Sequence, residues 1–259
     1  MKKIVLALAA LSVCLAASAQ TRDAFSTEFG GRLSVGIDKK IVKGWHVYLS
    51  EEVRMDDNFK AFDRFHTTLG TSYKPLSWLK VGLEYSLINH YKPSSDVWHT
   101  RHRGSFYLSE SIKAGLWTLS FKETLYLTYK AYDINVVQEP KAALQTKLRF
   151  QAKYRGWGDW RPYAGVEGRF MLNGTNGTID SSYTYFTFSS YSDAYFNRMR
   201  GFLGLEWKLS SYHSIDFRLA ADYNCGVELD VKSDGTTIKS FTQENKLFPW
   251  LKIGYTFNF

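Results

Sequence analysis

Two cysteines are all the sequence contains, and one of them, Cys14, sits in an N-terminal stretch with the features of a removable leader. Cys225 would then stand alone, which excludes an intrachain disulfide in an exported chain that could otherwise use one. Only five prolines interrupt 259 residues, so long segments are free to form hydrogen-bonded ladders. After the leader, no apolar run approaches the roughly 20 residues that a membrane-crossing helix requires. Catalytic and cofactor boxes are missing as well: there is no Walker loop, dinucleotide fingerprint or zinc-ligand spacing. The six histidines do not supply what those boxes would. His99-Thr-Arg-His102 is the closest pair, yet Arg101 and Arg103 repel a divalent cation and no cysteine or second carboxylate completes four ligands. No catalytic residue, cofactor or metal site is expected.

What is present begins with that leader. Lys2 and Lys3 form a positive start, Ile4 to Leu15 an apolar core, and Ala17-Ser18-Ala19 a small-residue cleavage site, so residues 1–19 read as a secretory signal and 20–259 as the mature domain. A lipoprotein reading on Cys14 is disfavoured by the bulky Val13 before it. At the other end, Leu251, Ile253, Tyr255, Phe257 and Phe259 share one face of a strand and Lys252, Gly254, Thr256 and Asn258 the other. The terminal aromatics Tyr255, Phe257 and Phe259 resemble the signal by which the barrel-assembly machinery of Gram-negative bacteria recognises its clients.

The same period of two recurs along the whole chain. Leu33, Val35 and Ile37 oppose Arg32, Ser34 and Asp38; Trp45 to Met55 opposes His46 to Asp56; a hairpin turns at Lys74-Pro75-Leu76-Ser77; and strands 102–113 and 117–129 meet at Ala114-Gly115. Lys130 to Lys141 is irregular, Ala142 to Tyr154 carries a basic polar face, Asn173-Gly-Thr-Asn-Gly-Thr178 is a doubled turn signal, and Ser233-Asp234-Gly235 turns a long polar excursion. The fold expected is all-β: a single closed antiparallel transmembrane β-barrel of roughly 10–12 strands in the bacterial outer membrane. Eleven strands are secure, whereas bacterial single-chain barrels have an even number. A twelfth strand over Thr178–Ser189, or one connection on the side opposite to its length, would reconcile the two.

A soluble secreted β-sandwich is the alternative, but its polar faces should be rich in Lys and Glu throughout. Here they mix charge with Gly, Ser, Thr and Tyr, and the apolar faces end in Trp and Tyr, as lipid-facing girdles do. Aromatics make up 17% of the chain, enough to furnish two such girdles. The net charge of +8 falls to +6 once Lys2 and Lys3 leave (31 basic against 25 acidic), and the cations are dispersed rather than clustered, which argues against nucleic acid. Glu51, Glu110 and Glu123 fall on the apolar phase, where a β-bulge or a place at the headgroup rim is expected.

Glu28, Arg32, Glu52, Arg54, Glu84, Lys147, Arg149, Glu167, Arg169, Arg198, Arg200 and Arg218 are expected to face the lumen. In so narrow a barrel these charges would cross-link and fill part of the bore; alternatively they line a narrow conduit biased toward anions by the basic strand Lys147 to Lys153. The function expected is therefore non-enzymatic, a narrow pore or a structural or docking wall. An outer-membrane lipid or lipopolysaccharide hydrolase with a rim site is the alternative, though no histidine here is followed two positions on by Ser, as in the His-x-Ser hydrolases. Partners implied are outer-membrane lipid and lipopolysaccharide, the assembly machinery and, for a docking wall, an unidentified protein.

Glu51-Glu52-Val53-Arg54, Tyr73-Lys-Pro-Leu-Ser-Trp-Leu-Lys-Val-Gly82 with Tyr85, and Trp98-His-Thr-Arg-His-Arg103 occur in this order. Together they resemble a domain-of-unknown-function family of bacterial outer-membrane barrels (family 2490), over about Phe25 to Phe259. The resemblance implies an outer-membrane barrel with no established activity, and no functional residues follow from it. The stretch Asn173 to Asp193 departs from the family pattern.

Overall fold

The computed structural model describes residues 22–25, 28–92 and 95–259; the proposed leader, residues 1–19, lies outside them. The strands are β1 (Arg22–Phe25), β2 (Gly30–Val42), β3 (Trp45–Asp56), β4 (Ala61–Tyr73), β5 (Leu79–Lys92) and β6 (Val97–Ala114), followed by β7 (Trp117–Lys130), β8 (Ala142–Tyr154), β9 (Trp160–Ile179), β10 (Phe186–Lys208), β11 (His213–Val231) and β12 (Ile238–Asn258). From β2 onward each strand pairs antiparallel with the next, and β12 returns to β2, closing an eleven-stranded barrel. Each hairpin reverses the chain, so an odd count leaves first and last strands pointing the same way, and the closing ladder has to be parallel. It runs from Trp250 opposite Gly30 to Asn258 opposite Asp38. Beyond it, β1 lies parallel to Glu244–Leu247 and extends the same seam.

The even strand number expected of such barrels is therefore not met, and the parallel seam is how eleven strands close. Thr178–Ser189 adds no strand: it spans the end of β9, the turn 180–185 and the start of β10. The doubled glycine signal at 173–178 is likewise no turn but part of β9. A Cβ on Gly174 would lie 2.5 Å from the Tyr195 ring, and one on Gly177 would collide with the Phe186 ring. These glycines are slots for cross-strand aromatic rings. The turn at Ser233–Gly235 is present, with Gly235 at φ +74°. Hydrogen bonds from Thr237 and Thr236 fix Asp234 there and hold its carboxyl down to about 2.

Connections of two to five residues, 43–44, 74–78, 115–116, 155–159 and 209–212, gather at one end, with Phe259 beside them. Loops 57–60, 131–141, 180–185 and 232–237 lie at the other. The C-terminal Phe259 is fastened into the wall by Lys40 N donating to its carbonyl oxygen at 2.9 Å and its own N–H donating to Asp38 O at 3.0 Å. Strands β2–β5, β7 and β8 are 12 to 14 residues long, whereas β9–β12 have 19 to 23 and project as two long hairpins at the loop end.

The barrel is inverted relative to a water-soluble protein. Leu203 is 62% exposed, Val35 and Leu83 58% and Leu33 56%, all on the outer face, while Trp250 and Glu167 inside are 1% exposed. Outer aromatics cluster at the turn end, where Trp160 and Trp207 stack at 4.7 Å and Trp117 meets Tyr154 at 5.0 Å; Phe62, Phe65 and Trp98 form a second cluster toward the loop end. The ladders run without a shift at Glu51, Glu110 and Glu123, so no bulge accounts for them. Glu110 pairs with Leu79, at the start of β5 near the turn end. Glu51 accepts from Thr67 Oγ1 at 2.5 Å, and Glu123 stands between Leu108 and Leu148.

Candidate functional site: the charged lumen

Period two puts every second side chain of each strand inside, and on β8–β12, β2 and β3 many of these are charged. Two carboxylates organise them. Glu167 on β9 accepts two bonds from Arg149, at 2.6 and 2.8 Å, and one from Arg200 at 3.3 Å, with Arg198 at 3.6 Å and Lys147 at 4.0 Å. Asp222 on β11 accepts from Arg200 at 2.5 and 2.7 Å and from Trp250 Nε1 at 2.9 Å, and Arg198 lies 3.4 Å away. Arg32 lies 3.5 Å above the Trp250 ring and 3.8 Å from Asp222. Glu52 joins Arg54 at 2.8 Å and Lys252 at 2.5 Å across the parallel seam. Two groups of ion pairs thus form a belt over seven neighbouring strands: Glu167 and Asp222 with their cations join β8–β11 and β2, and Glu52 joins β3 to β12.

Two cavities lie along the lumen. The one toward the loop end, about 350 Å³, is bordered by Glu28, Arg32, Arg54, Asp63, Arg64, Arg169, Arg198 and Asp222. The one toward the turn end, about 300 Å³, is bordered by Asp38, Tyr48, Lys80, Glu84, Tyr107 and Lys122. There Tyr48 donates to Glu84 at 2.7 Å with Lys122 3.8 Å away. Tyr163 donates to Asp216 at 2.5 Å while Arg218 donates to the Tyr163 oxygen at 2.9 Å. Lys153 pairs with Glu206. Tyr163 lies over Gly204, where a Cβ would collide with its ring.

On the remaining arc, β4–β7, cations outnumber their partners. Arg64 pairs with Asp63 at 2.5 Å, and His90 lies 3.1 Å from the same carboxylate. Arg103 has only Thr128 Oγ1, at 2.9 Å, and the Tyr126 ring. Across the bore, Arg169 donates to Asn197 at 2.7 Å. Among the described residues neither Arg103 nor Arg169 has a carboxylate within ion-pair distance.

The sequence-predicted charges divide among these groups: Arg32, Glu52, Arg54, Lys147, Arg149, Glu167, Arg198 and Arg200 in the belt, Glu84 and Arg218 on the turn side, Glu28 and Arg169 on the loop side. Sequence reasoning missed Trp250, Asp63, His66 and Arg103. Asp63 is brought inward by a register shift at Arg54/Met55, which alternation alone does not reveal. The other three lie in the polar phase, and that phase was the available signal.

The hydrolase alternative needs a nucleophile and a base within hydrogen-bond reach of each other. The nearest arrangement is Asp38, His46 and Ser72: His46 Nδ1 lies 2.6 Å from Asp38, and Ser72 is opposite His46 on β4. Yet Ser72 Oγ is sealed from solvent and makes no hydrogen bond to His46. His213 and His102 are held instead by Tyr255 and Tyr85, each at 2.6 Å. Among the described residues no three His, Cys, Asp or Glu side chains are grouped to hold a metal ion.

Residues 31–224 match the family described as "Protein of unknown function (DUF2490)". A comparison with curated proteins finds no match. Among solved structures the chain is similar to an anion-selective porin from Comamonas acidovorans, at 10% identity and a TM-score of 0.34, covering 81% of this chain and 53% of the porin. The chain thus spans about half the length of that porin.

Proposed function

We propose that this chain, which belongs to the family described as Protein of unknown function (DUF2490), is a non-enzymatic Gram-negative outer-membrane barrel whose lumen admits small anions past a charged constriction. The observation that carries this reading is the inversion of faces, with Leu203 62% exposed outside and Glu167 1% exposed inside. An aqueous exterior would leave that apolar surface without a partner, whereas hydrocarbon provides one. Strands of 12 to 14 residues exceed the 9–11 that a tilted span needs. The leader over 1–19 and the terminal aromatics Tyr255, Phe257 and Phe259 fit export and recognition by the assembly machinery.

Anion preference rests on the excess of cations inside, with Arg103 and Arg169 unpaired by carboxylate. The belt makes the conduit narrow, because Glu167, Asp222 and their arginines occupy its middle. Refolded protein should migrate differently in gels before and after boiling, and planar-bilayer recordings should show small discrete steps with reversal potentials favouring anions. A heat-modifiable barrel with no steps, or with cation preference, removes the pore and leaves a structural or docking wall. Folded protein free in the periplasm without detergent removes the membrane reading altogether.

A further inference from the structure

We infer that the arc β4–β6, with Arg54 and Arg169 flanking it, is a built site for a small oxyanion of the phosphate class, held by Arg54, Arg64, His66, Arg103 and Arg169. The inference deepens the reading of an anion-accepting lumen and rests on that lumen being enclosed and polar, but it does not require conduction.

His66 supplies the first argument. Arg54 can only donate, and its Nη2 lies 3.3 Å from His66 Nδ1, so Nδ1 accepts and the ring proton resides on Nε2. That Nε2–H is buried and meets no acceptor among the described residues. A buried donor left unsatisfied is costly, and an acceptor entering the lumen would remove the cost.

Arg103 supplies the second. Its single side-chain bond uses Nε, to Thr128, and its guanidinium lies 4.7 Å above the Tyr126 ring, leaving the outer N–H groups without a carboxylate. Arg54, Arg64 and Arg169 border one cavity, and all three act on Arg103 as like charges. Arg54 and Arg64 already hold Glu52 and Asp63, but Arg103 and Arg169 hold no carboxylate among the described residues, so the cluster keeps an excess of positive charge that an entering anion would offset. Arg54 and Arg64 are also direct cross-strand partners, two like charges side by side that a shared anion would bridge.

The third argument is room. Arg54, Arg64 and Arg169 border the cavity of about 350 Å³, which accommodates a tetrahedral oxyanion with some of its water. Donors from β3, β4 and β9 border it from different walls. That geometry suits a group with acceptors in several directions better than a planar carboxylate, which one arginine fork satisfies.

Titration calorimetry of inorganic phosphate into the refolded, heat-modifiable barrel in non-ionic detergent tests the inference. Binding with weakening of about tenfold or more is expected for Arg103→Gln, and a smaller loss for His66→Ala, in proportion to charged and neutral donors. Lys122→Gln, in the other cavity, should leave phosphate affinity unchanged. Equal phosphate affinity in native protein, Arg103→Gln and His66→Ala overturns the site, as does no heat of binding up to millimolar phosphate. Loss of binding in Lys122→Gln alone also overturns it, since it would place the anion in the turn-side cavity. Because heat modification and conductance are read separately, a barrel that conducts anions but ignores phosphate sinks this inference while the proposed function stands.

Discussion

The two sides of the lumen are built on opposite electrostatic rules. Along β8–β12, β2 and β3 each deeply buried carboxylate is surrounded by cations, as Glu167 is by Arg149, Arg200, Arg198 and Lys147. Along β4–β7 Arg103 faces the bore with a hydroxyl and an aromatic ring. A compensated arc behaves as a rivet, because its charges, Arg169 on β9 apart, are spent on one another and removing any of them exposes the rest. An uncompensated arc retains field for something that is not protein. The difference teaches that inward charge in a narrow barrel is not one property: part of it closes the wall, and part is left over for a solute.

The sharpest way to break that contrast is Glu167→Gln. Four cations lose a shared partner that is wholly buried, so unfolding in urea from detergent or bilayers should become easier by about 3–5 kcal/mol. If Glu167→Gln and Arg103→Gln cost the same, the two arcs are not different in kind. The complementary change is Ser86→Asp. Ser86 faces Arg103 directly in the β5–β6 ladder, so a carboxylate there would convert the open arc into a second rivet. Stability should rise by about 1 kcal/mol or more, and phosphate binding should disappear.

How much of this the sequence carried follows from what alternation can encode. A period of two assigns a face, so Leu33, Val35 and Ile37 are legible as exterior and Arg32 as interior from the order of residues alone. It does not say which interior groups meet across the bore. Lys252 reaches Glu52, 200 residues away, only because the odd strand count brings β12 alongside β2. Nor does composition separate a glycine that turns the chain from one that makes room for a ring. Asn173–Thr178 and Ser233–Gly235 read alike, but Gly174 and Gly177 lie under aromatic rings while Gly235 adopts positive φ. Trp250 is legible as the start of a strand, but its role between Arg32 and Asp222 depends on three strands whose adjacency no local pattern records.

The contrast extends to the outer surface at a smaller scale. Glu51 has Thr67 as a donor, whereas Glu123 is exposed between two leucines in an unbroken ladder. Glu123→Leu should therefore stabilise the barrel in lipid by about 1–2 kcal/mol, less than the 2–4 kcal/mol associated with Arg or Lys at mid-bilayer. Glu51→Leu should gain less, because it also strands the Thr67 hydroxyl. A destabilised Glu123→Leu barrel would mean that the outer face at β7 contacts water or a polar partner rather than hydrocarbon.

The smallest effect is expected at the projecting hairpin β11–β12, where Lys239 Nζ lies 3.1 Å from Asp230. On distance alone this pair resembles Lys252–Glu52, yet the Lys239 side chain is 68% exposed and that of Lys252 20%. Water and salt screen the outer pair, and ordering two long side chains costs entropy of similar size. Asp230 also accepts from Gln138 Nε2 at 2.9 Å, so loop 131–141 keeps a tie to β11 without the lysine. Lys239→Ala should therefore change the urea midpoint by no more than the equivalent of about 0.5 kcal/mol. Lys252→Ala, by contrast, leaves the buried Glu52 with Arg54 as its remaining close cation and should cost several times as much. Equal losses at the two lysines would show that strand pairing, not enclosure of charge, sets the stability of this wall.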